Sequence, residues 1–391
     1  MSLTIPTAAL RNALGSLTKV APTTTSLPIL TCVHLKAKAL QGLVIEATNL
    51  EMGLRLSLPG ADADFEAAVL AKTLAEVIAS IEAETVKLSV EDFKVLVAAK
   101  GVKAKIAALD PGEFPAMPNC AHEVLTIPAP RLKAALKKVV FAASNDQSRP
   151  ALACVQLAAK GSDKLTLVAA DGFRLAVQEL EAHLDLPSTG RQQLLIPAPA
   201  LKKLITMLPD DETETVTLSV NAEDSQALFA WNGVEVFISL ADYAFPDWKA
   251  IVPASVKHEI SLPGDFAGAV KRAEVFGKLG GHVVTLLPED QGMSVRGTAA
   301  EAGESKTVLE GVTLPFKVSF NAIFVAQGLE AIGANQVHLH LNAPSTPAML
   351  TNGSREYIYL VMPMAYVLST EARERATAAA EAAAKAAEGQ E

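Results

Sequence analysis

Residues 27–30 read LPIL and residues 49–51 read NLE; residues 149–152 read RPAL and residues 171–173 read DGF. Pro28 and Asn49 stand 21 positions apart, as do Pro150 and Asp171, so the two blocks lie in register at an offset of 122. Each block closes on a related element, DPGEFPAM at 110–117 and DYAFPDW at 242–248. Each follows an amphipathic stretch, TAALRNALGSLTKV at 7–20 and PRLKAALKKVVFA at 130–142. A weaker third copy follows: DFAGAVKRAEVFGK at 265–278 matches the opening helix and MSVRGTAAEAGES at 293–305 the strand and turn, while SFNAIFVAQGLEAI at 319–332 parallels AKTLAEVIASI at 71–81 and PAPALKKLITML at 197–208. Self-similarity at a fixed period dictates architecture. The expectation is three units of about 120 residues, each ordered helix, strands, helix, strands.

Periodicity predicts helices over 7–20, 71–81, 128–142, 197–208, 264–278 and 320–331. Strands follow from alternation: Leu54, Leu56 and Leu58 around Arg55 and Ser57; Val216, Leu218 and Val220 around Thr217 and Ser219; Val337, Leu339 and Leu341 around His338 and His340. One-sided strands of this kind suit antiparallel sheets rather than a doubly wound parallel sheet, and give an α+β class. The expected domains are 1–121, 122–253 and 254–368. The remaining segment, 369–391, is rich in alanine, offers no large apolar face, and is expected to be a solvated tail, disordered or a frayed helix.

The chain has 391 residues, half of them apolar and a fifth charged, which is material for two or three globular domains and not for a disordered chain. The longest apolar run, Ile358 to Leu368, is too short for a membrane span, and no basic-then-apolar leader opens the sequence. Cys32, Cys120 and Cys154 are odd in number and show no CxxC spacing, so they read as reduced thiols of a cytoplasmic protein.

Thirty-four basic against 43 acidic residues leave a net charge of −9, and only two Trp and four Tyr are available for base stacking. Both argue against a generally basic nucleic-acid coat or a single-strand stacking platform. The charge is segregated, however. The six predicted helices hold twelve Lys and Arg against Glu76, Asp265, Glu274 and Glu330, a net of +8, and leave −17 for the rest. In the third helix Leu132, Ala135, Leu136, Val139 and Val140 share one face, while Arg131, Lys133, Lys137 and Lys138 occupy the other. The fourth helix repeats the division with Leu201, Leu204, Ile205 and Leu208 against Lys202 and Lys203. Solubility would explain one such helix; a set of them in an acidic protein reads as a shared surface for phosphates, sequence-independent and salt-sensitive. In the fifth helix Phe266, Val270 and Ala273 share the core direction, Val275 points away from it and Phe276 flanks it, a pattern compatible with a subunit interface.

Chemistry-bearing motifs are missing. The sequence has no Gly-rich phosphate loop, GxSxG elbow, HExxH or acidic cluster at metal-ligand spacing. His338 and His340 could ligate a metal from one strand face, but no third ligand is near in sequence, and an exposed polar face is the preferred reading. Asp171, Arg174 and Asp146 could be imagined as an acid/base set, but Asp-Gly is a turn signal and a hydrogen-bonding role is preferred. No catalytic residue, metal or cofactor is expected.

Taken together, SLPIL (26–30), ATNLEMGLRL (47–56), ADGFRLAV (170–177), YAFPDW (243–248) and YLVMPM (359–364) resemble the bacterial DNA polymerase sliding clamps, the beta subunits of the replicative polymerase, over residues 1 to about 366. The resemblance implies three similar clamp domains per chain and a head-to-tail homodimer closed into a ring, with helices lining the bore and sheets outside. It implies a processivity factor without an active site, which encircles duplex DNA of any sequence and tethers the polymerase alpha subunit, the clamp loader and other proteins carrying a clamp-binding motif. The DNA-facing residues would be Arg11, Lys19, Lys72, Arg131, Lys133, Lys137, Lys138, Lys202, Lys203, Lys271 and Arg272. The family's peptide pocket, carried over by motif, falls on Arg149, Leu152, Gly172, Phe173, Arg174, Leu175, Pro246, Ile251, Thr346, Leu360, Met362, Pro363 and Met364. Leu, Ile and Met suit an adaptable trough for several partners. The ring interface would set Val275 and Phe276 against Ala104 and Ile106 of a second copy.

The chain also departs from the family's pattern. The run Pro22 to Ser26, PTTTS, replaces a basic residue common in relatives, and the second-domain loop carries Asn145, Asp146 and Gln147, of which Asp146 would repel a phosphate. Weaker loop contacts to DNA are expected. They motivate an alternative, a clamp-derived interaction scaffold with reduced DNA encirclement.

Overall fold

Prolines set several of the helix starts. α1 (Thr7–Leu17), α3 (Ala129–Val140) and α4 (Ala198–Met207) each follow directly on a strand ending in Pro6, Pro128 or Pro197, whose φ values are −59, −54 and −55. The ring fixes φ where an extended strand must turn into a helix, and these residues need donate no hydrogen bond. α2 (Ala71–Ala79) follows Leu70 with the same geometry. α5 (Phe266–Gly277) and α6 (Ala322–Ile332) complete the set; α6 is capped by Asn321, whose side chain accepts the amide hydrogens of Ile323 and Phe324. These six helices belong to a computed structural model that describes residues 2–60, 64–146, 148–160, 163–185, 193–223, 225–299, 301–333 and 337–364. Gln147 and the 369–391 tail lie outside the described residues.

The helices coincide with the six periodic stretches, and the strand ladders are antiparallel, so the α+β expectation holds. Helix ends differ. α1 stops at Leu17 because the amides of Thr18, Lys19, Val20 and Ala21 fold back on Leu14, Ser16 and Leu17 carbonyls. Lys19 therefore sits in a turn after the helix, and Lys278 likewise follows α5. In α3 the buried side chains are Leu132, Ala135, Leu136, Val139 and Val140 together with Ala129, the face that the periodicity defines. Their burial supplies on the order of 8 kcal/mol, more than helix propensity alone could.

Packing divides the chain into two units, Met1–Ala169 with Glu179–Pro246, and Ala170–Gln178 with the residues from Asp247 onward. In the first, one sheet runs without interruption through elements of the first and second repeats. Strand Met52–Leu58 pairs with strand Val234–Ser239, with Leu56 opposite Val234, Leu54 opposite Val236 and Met52 opposite Ile238. Arg55 lies opposite Glu235 and is not the solvated residue that simple alternation suggests. Its Nη1 donates to Glu235 at 2.7 Å and its Nε to Glu46 at 2.7 Å. Ser219, another expected solvent-facing position, is also buried.

In the second unit, strands His258–Leu262, Val337–Leu341, Ala348–Thr351 and Tyr357–Val361 follow one another in a sheet, and Arg174–Gln178 of the Arg174–Glu181 strand pairs with the last of them. A second sheet runs Gly303–Glu310, Gly292–Ala299, Val283–Glu289, Val318–Asn321. Two glycines let helices approach closely. A Cβ at Gly297 would stand 1.9 Å from the Ala273 carbonyl oxygen of α5, and one at Gly328 of α6 would stand 2.4 Å from the Tyr359 ring.

The repeat is visible at the level of single hydrogen bonds. Asn49 Oδ1 accepts the amides of Glu51 and Met52 at 3.1 and 2.7 Å. Asp171 Oδ1 accepts those of Phe173 and Arg174 at 2.8 and 3.0 Å. The residue between is left-handed in both turns, Leu50 at φ 74 and Gly172 at φ 94.

Candidate functional site

The Asp171 turn opens one end of the second unit's five-stranded ladder. Register places Arg174 opposite Val361, Ala348 opposite Val361, and His258 opposite Leu341, so the segments entering these strands all emerge at that end. They carry Phe173, Thr346, Met362 and, just beyond a short 3-10 turn, Ile251. Two backbone bonds hold the rim: Met362 donates to the Phe173 carbonyl at 2.8 Å and Met364 to the Ser319 carbonyl at 2.8 Å. Phe173, Ile251, Met362 and Met364 remain 59, 48, 37 and 36% exposed, a level at which large apolar side chains signal a contact surface when they gather. Thr346 is tied into its turn by hydrogen bonds with Ala343, and Pro363 is half-buried.

Leu175 and Leu360 differ from the trough expectation. They face each other across the ladder and are buried, so they floor this end of the sheet from within and offer no open surface. Arg174 keeps little of its side chain in solvent. Its Nε donates to Asp171 Oδ2 at 2.9 Å, its Nη1 donates to Gln327, and its guanidinium lies 4.3 Å over the Phe324 ring of α6. This fits the hydrogen-bonding reading of Asp171 and leaves no acid/base pair there. Arg149, Leu152 and Pro246 belong to the first unit. There Leu152 donates to the Arg149 carbonyl at 3.0 Å. Arg149 Nε donates to Asp146 Oδ2 at 3.1 Å. Hydrogen bonds from Ser148 and then Arg149 hold the Asp146 carboxyl below its usual range.

The helices present ten basic and three acidic side chains within their observed limits. Arg131, Lys137 and Lys202 are exposed and Lys203 half-buried. Others are committed to the chain itself. Lys133 donates to the Leu208 carbonyl at 2.9 Å and to Asp210 at 2.7 Å, so its charge is largely spent on the end of α4. Arg11 donates to the Ile81 carbonyl at 2.6 Å. Lys72 lies 4.0 Å from Glu76, Arg272 donates to Thr307 at 3.3 Å, and Lys138 also has a partner.

Of the interface expectations, Val275 is 62% exposed, with Leu279 at 73% beyond it, while Phe276 is half-buried beside Gly303. Ile106 is a correction: alternation along strand Val102–Leu109 turns it inward, where it is buried. Ala104 shares that face and is half-buried. The strand is bonded on one side over 102–107 and meets its other neighbour only at Ala108 and Leu109. Among the described residues, strand Gly303–Glu310 is likewise paired on one side alone. Both therefore present unpaired backbone.

No cluster of three or more metal-ligating side chains exists among the described residues. His338 contacts Glu259 at 3.1 Å and His340 bonds Thr351 at 3.0 Å, while burial lowers the His340 pKa. No described helix is long and apolar enough to cross a membrane.

Residues 1–118 match the family model for the N-terminal domain of the DNA polymerase III beta subunit, and residues 126–247 match that for its central domain. The chain belongs to this family. Beta sliding clamps of Staphylococcus aureus and Bacillus subtilis are 25 and 24% identical to it, over 89 and 93% of this chain and 95 and 99% of theirs. The crystal structure of the Bacillus subtilis sliding clamp shares the fold at a TM-score of 0.87 and 21% identity, covering 94% of this chain and all of that one. That of Pseudomonas aeruginosa does so at 0.85 and 23%. As a beta sliding clamp, the chain is a processivity factor, a non-catalytic subunit of DNA polymerase III.

Sequence reasoning did not single out Leu279 and Val308, both exposed large apolar side chains. Leu279 lies four positions after Val275, one helical turn on. That spacing is present in the sequence, but the predicted helix ends at residue 278. Val308 lies on an edge strand, and nothing in its alternation marks it as an edge.

Proposed function

We propose that two copies of this chain close head to tail into a ring around duplex DNA, each copy built of three similar domains at 1–121, 122–253 and 254–368. The observation that carries the reading is the basic excess on the helices of an acidic protein, ten basic against three acidic side chains, with Arg131, Lys137, Lys202 and Lys203 turned away from the core. Diffuse lysine–phosphate attraction holds no sequence and permits sliding, while ring closure supplies retention. The gathered Phe173, Ile251, Met362 and Met364, with Leu175 and Leu360 beneath, take the apolar anchors of a short peptide from the polymerase alpha subunit, the clamp loader or another motif-bearing protein. Val275, Leu279 and half-buried Phe276 meet the Val102–Leu109 strand of the second copy, edge to edge with Gly303–Glu310. The ring works in the cytoplasm, where bacterial DNA is copied.

The test is retention after loading. A ring remains on closed circular duplex at high salt and slides off the same molecule once it is cut. Equal loss from both forms contradicts encirclement and favours the scaffold reading, which the acidic Asp146 in the second-domain loop motivates.

A further inference from the structure

The three helix pairs are far from equivalent in charge. α1 and α2 carry Arg11, Lys72 and Glu76; α3 and α4 carry six basic residues and no acid; α5 and α6 carry Lys271 and Arg272 against Glu274 and Glu330. Including the flanking Lys19, Asp265 and Lys278 does not change the ranking. Contacts sharpen the contrast. Lys271 shares a groove with Glu274, Glu330 and Gln327, and Arg272 is drawn to Thr307 on the neighbouring strand. α6 has no basic residue at all. On α3 and α4 Asp210 takes up Lys133 and also feels Lys137, but Arg131, Lys202 and Lys203 have no carboxylate partner among the described residues.

We infer that the α3–α4 pair is the principal seat of the DNA backbone on this clamp, and that α5–α6 forms an electrically neutral wall past which DNA slides with little attraction. The occupant is the phosphate backbone of duplex DNA, because what the surface offers is cationic side chains on a helical face with no accompanying base-reading or aromatic groups. The inference rests on the encircling reading above and assigns an unequal share of it to each helix pair. Its consequence is two equivalent backbone seats in the closed ring, one on the second repeat of each copy.

The experiment compares the full-length chain with R131Q/K137Q/K202Q/K203Q and with K271Q/R272Q, using a short duplex of arbitrary sequence between about 50 and 200 mM salt. Glutamine keeps helix propensity close to that of lysine and arginine. Removing one lysine–phosphate pairing lowers the log–log salt slope by about 0.9, so the quadruple variant should drop by about 3.6 and the double variant by less than about 0.5. Over that salt range the quadruple variant's drop is a difference of roughly 150-fold in the salt effect on affinity. Slope changes per substituted residue that differ by less than twofold overturn the inference while leaving encirclement standing. A wild-type chain with no salt-dependent attraction overturns both. Should the quadruple variant fail to fold, a photo-crosslinking residue at Ala134 of α3 is compared with one at Ala326 of α6. Stronger DNA labelling from Ala134 supports the inference, and equal labelling overturns it.

Discussion

Glu46 shows how much one residue can settle. Burial alone would raise its carboxyl, but hydrogen bonds from His34 and Arg55 and the charges of Arg55 and Lys36 outweigh that and bring it down from 4.5 to about 2. A carboxyl lowered in the folded state stabilises fully above its unfolded value and loses that contribution as pH falls from about 4.5 toward 2. The group therefore contributes on the order of 3 kcal/mol at neutral pH. Urea titrations should show Glu46→Gln less stable than wild type at pH 7, with the gap closing as pH falls; a gap constant with pH would remove Glu46 from the acid response. Met362 allows a second prediction at this scale. Met362→Ala should weaken a clamp-binding peptide about tenfold and leave thermal stability nearly unchanged, since the side chain is partly exposed. Unaltered affinity by calorimetry would move the pocket elsewhere. The sequence identified Asp171 as a turn residue because Asp-Gly has local chemistry. It could not separate Met362, exposed, from Leu360 and Leu175, buried: strand alternation defines two faces but not what covers each. Lys133 failed for a similar reason, because its partner Asp210 lies 77 positions away.

Elements were far more legible than contacts. All six helices were readable because apolar spacing at 3.6 residues is a property of the segment itself. Their ends were less so, since α1 terminates through turn hydrogen bonds that no residue in TKVA announces. The closeness of α5 to its sheet was also invisible until Gly297 was seen under the Ala273 carbonyl. Because that neighbour is backbone, Gly297→Ala forces the helix to lift. A loss of about 3 kcal/mol or more is expected in chemical denaturation, against less than about 1 for Gly264→Ala, where space is open. Comparable losses would show that the helix yields easily.

At the scale of the whole molecule the repeat was legible between its first two copies, where the offset of 122 recurs from sequence motif to Asx turn. Assembly is the part that must be tested in solution. Val275→Asp places a charge where the proposed ring buries an apolar side chain, and sedimentation should then report the mass of one chain, 41.0 kDa, where wild type reports twice that. A variant that stays dimeric would remove this surface from the interface. The sheet shared by strands Met52–Leu58 and Val234–Ser239 has a mechanical corollary. A ladder of successive backbone hydrogen bonds resists bending, because flexure there would strip several bonds together. That join behaves as a stiff girder and not as a hinge, so a ring built from this chain must yield at some other point when it is prised open.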